Sequence, residues 1–325
     1  MSLRIDRLPS EDAAVSGFAG EPVPPGVECL LARVDGTAVA RLGLLVARDL
    51  HGAPGASGLV GWYEASDADA GAALLRHARE VLAERGVARV LGPMNGSTWA
   101  RYRLALPPEP GEPVPRPFLG EPVNPPEYAE HFTAAGFSVA AEYESRVVPR
   151  PEGEVADGAA TAARLAERGV EVRALDPACF EEQLRAIFHL SLDAFSANPY
   201  YTPIEFEPFR AGYERMRPLL DPELVRLAYG EDGTLLGYVF AYPDPLDRGE
   251  GRAPRVVLKT LATAPEARGL GLGGHLTAEV ARLAFAGGAP AVIHALMHVD
   301  NTSTKISGKH AAALFRRYAL YGWTP

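Results

Sequence analysis

Only two cysteines occur in the 325 residues, Cys29 and Cys179, and they lie too far apart to suggest a disulfide framework or the paired spacing of a thiolate metal site. Residues 1–20 lack the sustained apolar core of a secretory signal, and nothing elsewhere marks a membrane span, so a cytoplasmic location is the default expectation. A basic excess is also missing. With 32 Lys and Arg against 41 Asp and Glu, the net charge of -9 argues against nucleic acid as an obligatory partner, because phosphate binding needs a concentrated positive surface. Lysine is scarce, being confined to Lys259, Lys305 and Lys309, and this reads as compositional bias without functional content. No metal is expected either: His294 and His298 are two strand repeats apart, about 13 Å by rise, and cannot chelate one ion unaided.

What the chain does carry is a glycine-rich corner, Arg268-Gly269-Leu270-Gly271-Leu272-Gly273-Gly274, between a predicted strand over 256–263 and a predicted amphipathic helix over 272–286. Glycines let consecutive N–H groups converge, and the unpaired amides and positive dipole end of the following helix favour an anion there, so the corner predicts the diphosphate of a cofactor. A dinucleotide fits poorly. The last glycine falls one residue early for GxGxxG, and the next strand, 291–299, opens Ala-Val-Ile-His with no acidic ribose acceptor. A nucleoside triphosphate is disfavoured because Gly274 is followed by His275 and Leu276, not by Lys and Ser or Thr.

The pattern Arg268-x-x-Gly271-x-Gly273, preceded by Leu261-Ala262-Thr263-Ala264-Pro265, resembles the acetyl-CoA-binding motif of the GCN5-related N-acetyltransferases, the GNAT superfamily. The resemblance runs on through the helix, the next strand, Asn301, and the segment 314–323, which looks like the family's closing helix with Tyr318 four residues before Gly322-Trp323. It implies an α/β fold, a mixed central sheet flanked by helices, and transfer of an acyl group, acetyl above all, from acyl-CoA to the amine of a small molecule by direct attack in a ternary complex. It also implies roles for particular residues. The backbone of Leu261, Ala262 and Thr263 would face the pantetheine arm, and Arg268, Gly269, Leu270, Gly271, Leu272, Gly273 and Gly274 would hold the diphosphate. Asn301 and Ser303 would touch the pantetheine or the nucleotide end, although a turn cap explains them almost as well. Tyr318 would protonate the departing thiolate, although membership of an apolar stripe with Leu314, Phe315 and Tyr321 is the competing explanation.

One expected part is missing. Family members often place a glutamate on the strand before the glycine loop, where this chain offers Lys259 and Thr260. Asp244, His294 and His298 are the remaining candidates for the base, each with a structural explanation beside it. Two alternatives therefore stay open: an acyl-CoA-binding sensor without turnover, and, more weakly, a dinucleotide-dependent oxidoreductase.

The two halves repeat one order of elements. The first reads as strand 58–65, helix 68–84, strand 87–91, helix 127–135 ending in Gly136-Phe137, and strand 138–148. A boundary near 160 divides a degenerate GNAT-like domain, 1–160, from an acyl-CoA-binding GNAT domain, 161–325. Degeneracy is read from Phe132, which aligns with Tyr318, and from Asp67 and Asp69, which replace the glycine loop and suit a helix start. The second domain would open with strand 170–174, helices over 177–195 and 204–219, and a hairpin over 224–241. Residues 149–169 read as a linker with room for a short helix.

GNAT domains usually continue past the last helix into a further strand, so the sheet would be left open beside its fifth strand, to be filled by a segment of the first domain or of another subunit. The stretch 107–126 has nine prolines in 20 residues and must be a stiff surface excursion, either covering the second domain's cleft or a tolerated insertion. Asn198, Pro199, Tyr200 and Tyr201, with Tyr242, Pro243 and Asp244, would border an acceptor cleft. Trp99, Arg101 and Arg103 would bind an anionic substrate between the domains or form an ordinary solvated face.

Overall fold

The computed structural model describes residues 2–153, 158–247, 249, 251–308 and 312–325. The first half contains β1 (Leu3–Pro9), α1 (Ala13–Ser16), β2 (Glu28–Val34), β3 (Thr37–Ala47), β4 (Ser57–Ala65), α2 (Ala68–Glu84), β5 (Arg89–Gly92), β6 (Leu104–Ala105), α3 (Tyr128–Ala134) and β7 (Ser138–Pro149). The second contains α4 (Ala159–Ala166), β8 (Glu171–Ala174), α5 (Phe180–Phe195), α6 (Phe206–Met216), β9 (Val225–Tyr229), β10 (Leu235–Pro243), β11 (Val256–Thr263), α7 (Leu272–Ala286), β12 (Ala291–His298), α8 (Thr302–Gly308) and β13 (Ala313–Trp323). It is a mixed α/β fold, a central sheet flanked by helices.

Local chemistry explains the helices that matter most. Asp67 caps α2 by accepting a hydrogen bond from the Ala70 amide at 2.8 Å, and Leu74, Leu75, Ala78 and Leu82 fall on its buried side at helical spacing. The helix α7 starts at Gly271, whose φ of 77° lies in the left-handed region that glycine enters without steric cost. Its Leu272, Leu276, Val280, Ala281 and Ala284 pack on the second half of the sheet with Val239, Val256 and Val292. On the opposite face, Leu184, Ile187 and Phe188 of α5 meet Tyr238 and Phe240. Each large apolar side chain buried in this way contributes about 1.5–3 kcal/mol.

The thirteen strands among the described residues join one sheet, in the order β1-β2-β3-β4-β5-β13-β7-β12-β11-β10-β9-β8, with β6 pairing β13 beside this path. Reading outward from the β13–β7 contact, the two halves present the same series of strands. The strand β7 comes from the first half yet pairs antiparallel with β12, while β13 comes from the second half and pairs antiparallel with β5. The last strand of each half has been exchanged. The opening beside the fifth strand of the second half is thus filled by a segment of the first.

The segment 314–323 corrects an expectation: it is a strand and not the closing helix. The shorter helix α8 occupies the position between β12 and the final strand. A run such as Tyr318-Ala319-Leu320-Tyr321 fits a buried strand as well as a helix face, and tertiary context decides. Here β5 and β6 on one side and β7 on the other supply strand partners, and all four of those residues are buried.

Candidate functional site

Parallel pairing between β11 and β12 covers Val256, Val257 and Leu258 opposite Val292, Ile293 and His294 and then stops. The strands part, and the space between them opens into a cleft of about 890 Å³ lined by Leu258 to Leu261 on one wall and His294 to His298 on the other. Among the described residues the β12-facing edge of β11 beyond Leu258 has no strand partner, so backbone amides on that edge between Lys259 and Thr263 can meet an extended ligand. Asn301, Ser303, Ile306 and Thr277 also line the cleft.

At one end lies the glycine corner. Arg268, Gly269 and Gly271 are exposed, and a side chain built at Gly269, Gly271 or Gly274 would meet nothing within 4 Å. The first intrahelical bond of α7 runs from the His275 amide to Gly271 O at 3.0 Å, which leaves the amides of Leu272, Gly273 and Gly274 without helical acceptors. The corner is open, amide-rich and at a helix start, as a bound diphosphate requires.

The first half begins in the same way, with Ser57, Gly58 and Leu59 opposite Arg89, Val90 and Leu91, but its gap is filled. The Met94 amide bonds Val60 O at 2.8 Å, Asn95 Oδ1 accepts from the Trp62 amide at 2.8 Å, and a Cβ at Gly61 would lie 2.7 Å from Met94 O. Beyond it, Tyr63 Oη is hydrogen-bonded to His131 Nδ1 at 2.8 Å, and Tyr128 Oη accepts from the Ala65 amide at 2.9 Å.

The chemistry of the second cleft is concentrated on its floor. Between Ala241↔Leu258 and Phe240↔Thr260 the pairing of β10 with β11 slips, and Lys259 is the extra, bulged residue, aimed into the cleft. Burial is the main reason its ammonium is disfavoured, the nearby Arg103 charge adds to this, and together they bring its pKa down to about 7. A second slip, in β12 opposite Ser145, puts Leu296 at φ 59° and sends its amide to Ser145 Oγ at 2.9 Å. Arg103, also at positive φ, lies over the Tyr102 ring at 4.1 Å and the Tyr143 ring at 4.2 Å.

Glu121 arrives from the proline-rich stretch. It accepts from Arg316 Nε at 2.7 Å, from Tyr318 Oη at 2.5 Å and from the Phe118 amide at 3.1 Å. The stretch is pinned from beneath by Asp244, which is fully buried: its carboxylate accepts from Arg255 Nε at 2.9 Å and from the Leu119 amide at 3.1 Å, while Arg255 also donates to the carbonyls of Arg116 and Pro117. Gly120 to Pro125 form part of the cleft wall, so the excursion covers the cleft.

The structure sorts the other sequence candidates. Asp244 anchors this loop and does not line the cleft. His294 and His298 both line it, with His294 Nδ1 hydrogen-bonded to Ser307 Oγ at 2.9 Å and the His298 ring edge-on to Tyr143 at 5.1 Å. Burial holds the His298 imidazole below its usual range. Asn198, Pro199, Tyr201, Trp99, Arg101 and Arg103 border the cleft, whereas Tyr242 faces away and donates to Leu119 O at 2.6 Å.

Tyr318 is fully buried on β13 and is not among the cleft-lining residues. Its hydroxyl is bonded to Glu121 and, at 3.0 Å, to Ser145 Oγ, and burial first, then the Glu121 charge, raises its pKa far above the usual phenol range. Sequence reasoning missed Glu121, Tyr143 and Ser145, which belong to the other half and have no local pattern to mark them.

Residues 184–307 match the family model described as "Acetyltransferase (GNAT) family". That stretch belongs to the GNAT superfamily, and the chain as a whole has the fold of its tandem-domain proteins. No curated protein matches the chain.

Among solved structures, the likeness is one of fold. A tandem GNAT protein from the clavulanic acid biosynthesis pathway aligns with TM-score 0.52 and 15% identity over 99% of this chain and 98% of that one. A GCN5-related N-acetyltransferase from Sphaerobacter thermophilus gives 0.52 and 16% over 95% and 84%. A GCN5-related glucosamine N-acetyltransferase region of a fungal multi-domain GH3 beta-N-acetylglucosaminidase gives 0.58 and 14% over 99% of this chain, which spans 38% of that longer one. Among the described residues, no helix is long and apolar enough to cross a membrane.

Proposed function

We propose that the protein is an acyl-CoA-dependent N-acyltransferase, with acetyl-CoA as donor and a small-molecule amine as acceptor. The observation that carries this reading is the succession of three features: an open amide-rich corner at Gly271, the unpaired edge of β11, and a cleft floored by Lys259, with Leu261 and Ile306 both lining the cleft and standing beside Gly273. The filled gap in the first half supports a division of labour between 161–325 as the donor-binding domain and 1–160 as its degenerate counterpart.

In this reading Arg268 to Gly274 grip the diphosphate, Leu261, Ala262 and Thr263 present backbone amides to the pantetheine arm, and Asn301 and Ser303 close over it. When bound, acetyl-CoA would supply an activated carbonyl: the acceptor amine forms a C–N bond as the C–S bond breaks, coenzyme A departs as a thiolate, and the proton lost by the amine ends on that sulfur by way of Lys259. Lys259, with its pKa near 7, takes the proton the amine loses and so fills the place of the missing glutamate. Tyr318 is a positioning residue that holds Glu121, because its hydroxyl is committed to that carboxylate and to Ser145.

Thermal shift with acetyl-CoA, longer acyl-CoAs and NAD, followed by CoA release over a panel of amines, tests the proposal. A ligand that binds the native state at roughly 100 times its Kd stabilises it by about 2.7 kcal/mol, a readable rise in melting temperature. Melting that responds to NAD and not to acetyl-CoA overturns the reading. Gly274→Asp sharpens the test: a carboxylate in the first turn of α7 favours the unliganded helix by about 0.3–1 kcal/mol through the dipole and repels the diphosphate. The variant should melt no lower than the parent while losing at least about tenfold in acetyl-CoA affinity.

A further inference from the structure

Charge in the cleft is distributed unevenly. Three carboxylates line it and each has a guanidinium: Glu64 pairs with Arg41, Glu121 with Arg316 at 2.7 Å, and Glu21 lies 3.9 Å from Arg101 and also accepts from Asn95 Nδ2 at 3.0 Å. Arg103 and Lys259 line the same cleft, and among the described residues neither has an ion pair. Arg103 is 9% exposed, and among the described residues its guanidinium makes one hydrogen bond, a long one of 3.4 Å from Nη1 to Leu296 O. A guanidinium removed from water is destabilising unless its donors and charge are met. The faces of Tyr102 and Tyr143, 4.1 and 4.2 Å from the guanidinium carbon, meet part of that cost, and the residue lines the cavity.

An ordered, desolvated, planar donor fork with an unmatched charge fits a carboxylate on the acceptor. We infer that Arg103 is the anchor for a carboxylate of the acceptor, so that the amine acylated here belongs to an amino acid. The inference rests on the acyltransferase reading and deepens it. The carboxylate would sit on the cleft floor beside Lys259, which places the neighbouring amino group of an amino acid at the group proposed to take its proton. The anchor lies in the cleft interior, apart from the glycine corner proposed for the diphosphate, so the two anions of a ternary complex have separate seats.

The test uses the full chain and matched acceptors: amino acids of small, aliphatic, aromatic, acidic and basic types, each beside its carboxamide. CoA release should favour at least one carboxylate over its amide by at least about tenfold in kcat/KM, carried mainly in KM. In Arg103→Met that ratio should fall toward one, and Arg103→Lys, which restores charge without the fork, should recover part of it. A binding arm requires no turnover. Calorimetry of the unmodified protein with N-acetyl amino acids should give heats that the matching N-acetyl carboxamides do not.

Equal use of carboxylates and amides overturns the anchor while leaving the acyltransferase reading intact, as does an Arg103→Met loss shared equally by both series. If no amine is acylated and acetyl-CoA leaves the melting temperature unchanged, the underlying reading itself fails. If no amine is acylated although acetyl-CoA does bind, the calorimetric arm decides the anchor. Should Arg103→Met prove unstable, the matched acceptors and the calorimetry on the parent protein still decide it.

Discussion

Lys259→Met is expected to lower kcat/KM by about 10²- to 10⁴-fold, the range that a positioned proton acceptor supplies. The bulge in β11 makes this residue the one aimed into the cleft, and a straight ladder would turn it by the ordinary alternation of a strand. Desolvation and the Arg103 charge favour the neutral amine, which is the form that accepts a proton. The sign follows: below about pH 7 the side chain is an ammonium and inactive, so the rate should climb as pH rises through about 7 and level above it. Glu121 faces the same amine and opposes the shift, Arg103 promotes it, and the His298 imidazole, held low by burial, is mostly neutral at the top of the limb. Arginine at 259 retains the charge but never the lone pair, so Lys259→Arg should be as impaired as the methionine variant. Rate profiles of the three proteins are the measurement. A methionine variant that keeps the parent's limb would assign proton removal elsewhere.

Ending the chain after Ala312 is expected to abolish the folded state, although every residue of the glycine corner and of Lys259's strand remains. Tyr318, Ala319, Leu320 and Tyr321 are buried, and the large ones among them contribute about 1.5–3 kcal/mol each. Their loss, with exposure of the edges of β5 and β7, is comparable to the whole 5–15 kcal/mol that stabilises a typical domain. Residues 1–160 and 161–325 made separately should aggregate for the same reason, since each lacks the strand that the other lends, and should gain solubility when produced together. Circular dichroism melts and the soluble fraction report the result. A well-folded, monomeric 161–325 would show that the exchange of β7 and β13 is dispensable.

How much of this was legible in the sequence depended on how far apart the determinants lie. The helices α2 and α7 and the strand β11 were readable to the residue, because Asp67, the glycine corner and the apolar spacing sit inside or beside them. The three strands β1 to β3 were not anticipated, and β13 was read as a helix: an apolar, aromatic run is ambiguous until its neighbours are known, and those neighbours lie in the other half. The glycine corner was found for the same local reason as α7. Of the cleft floor, only Arg103 is singled out by the sequence, with Trp99 and Arg101, as a seat for an anion; Lys259, Glu121 and Ser145 come from β11, the proline-rich stretch and β7, and no local pattern unites them. Lys259 had been seen only as the place where a glutamate was absent. Tyr318 lies on a strand and not on the closing helix that its spacing from Gly322-Trp323 predicts, because the partners that make 313–323 a strand lie in the other half.

In the proposed reaction, the clamp on the proline-rich stretch would decide how an acceptor is admitted. Arg255 fastens its carbonyls at Arg116 and Pro117, Asn124 bonds Ala105 through both its amide atoms, and proline fixes φ along the rest. Little backbone freedom is left to freeze when a guest arrives, so recognition forfeits little entropy at this rim. Selection then works as a fixed aperture does, turning away guests whose outline is wrong before any charge is read.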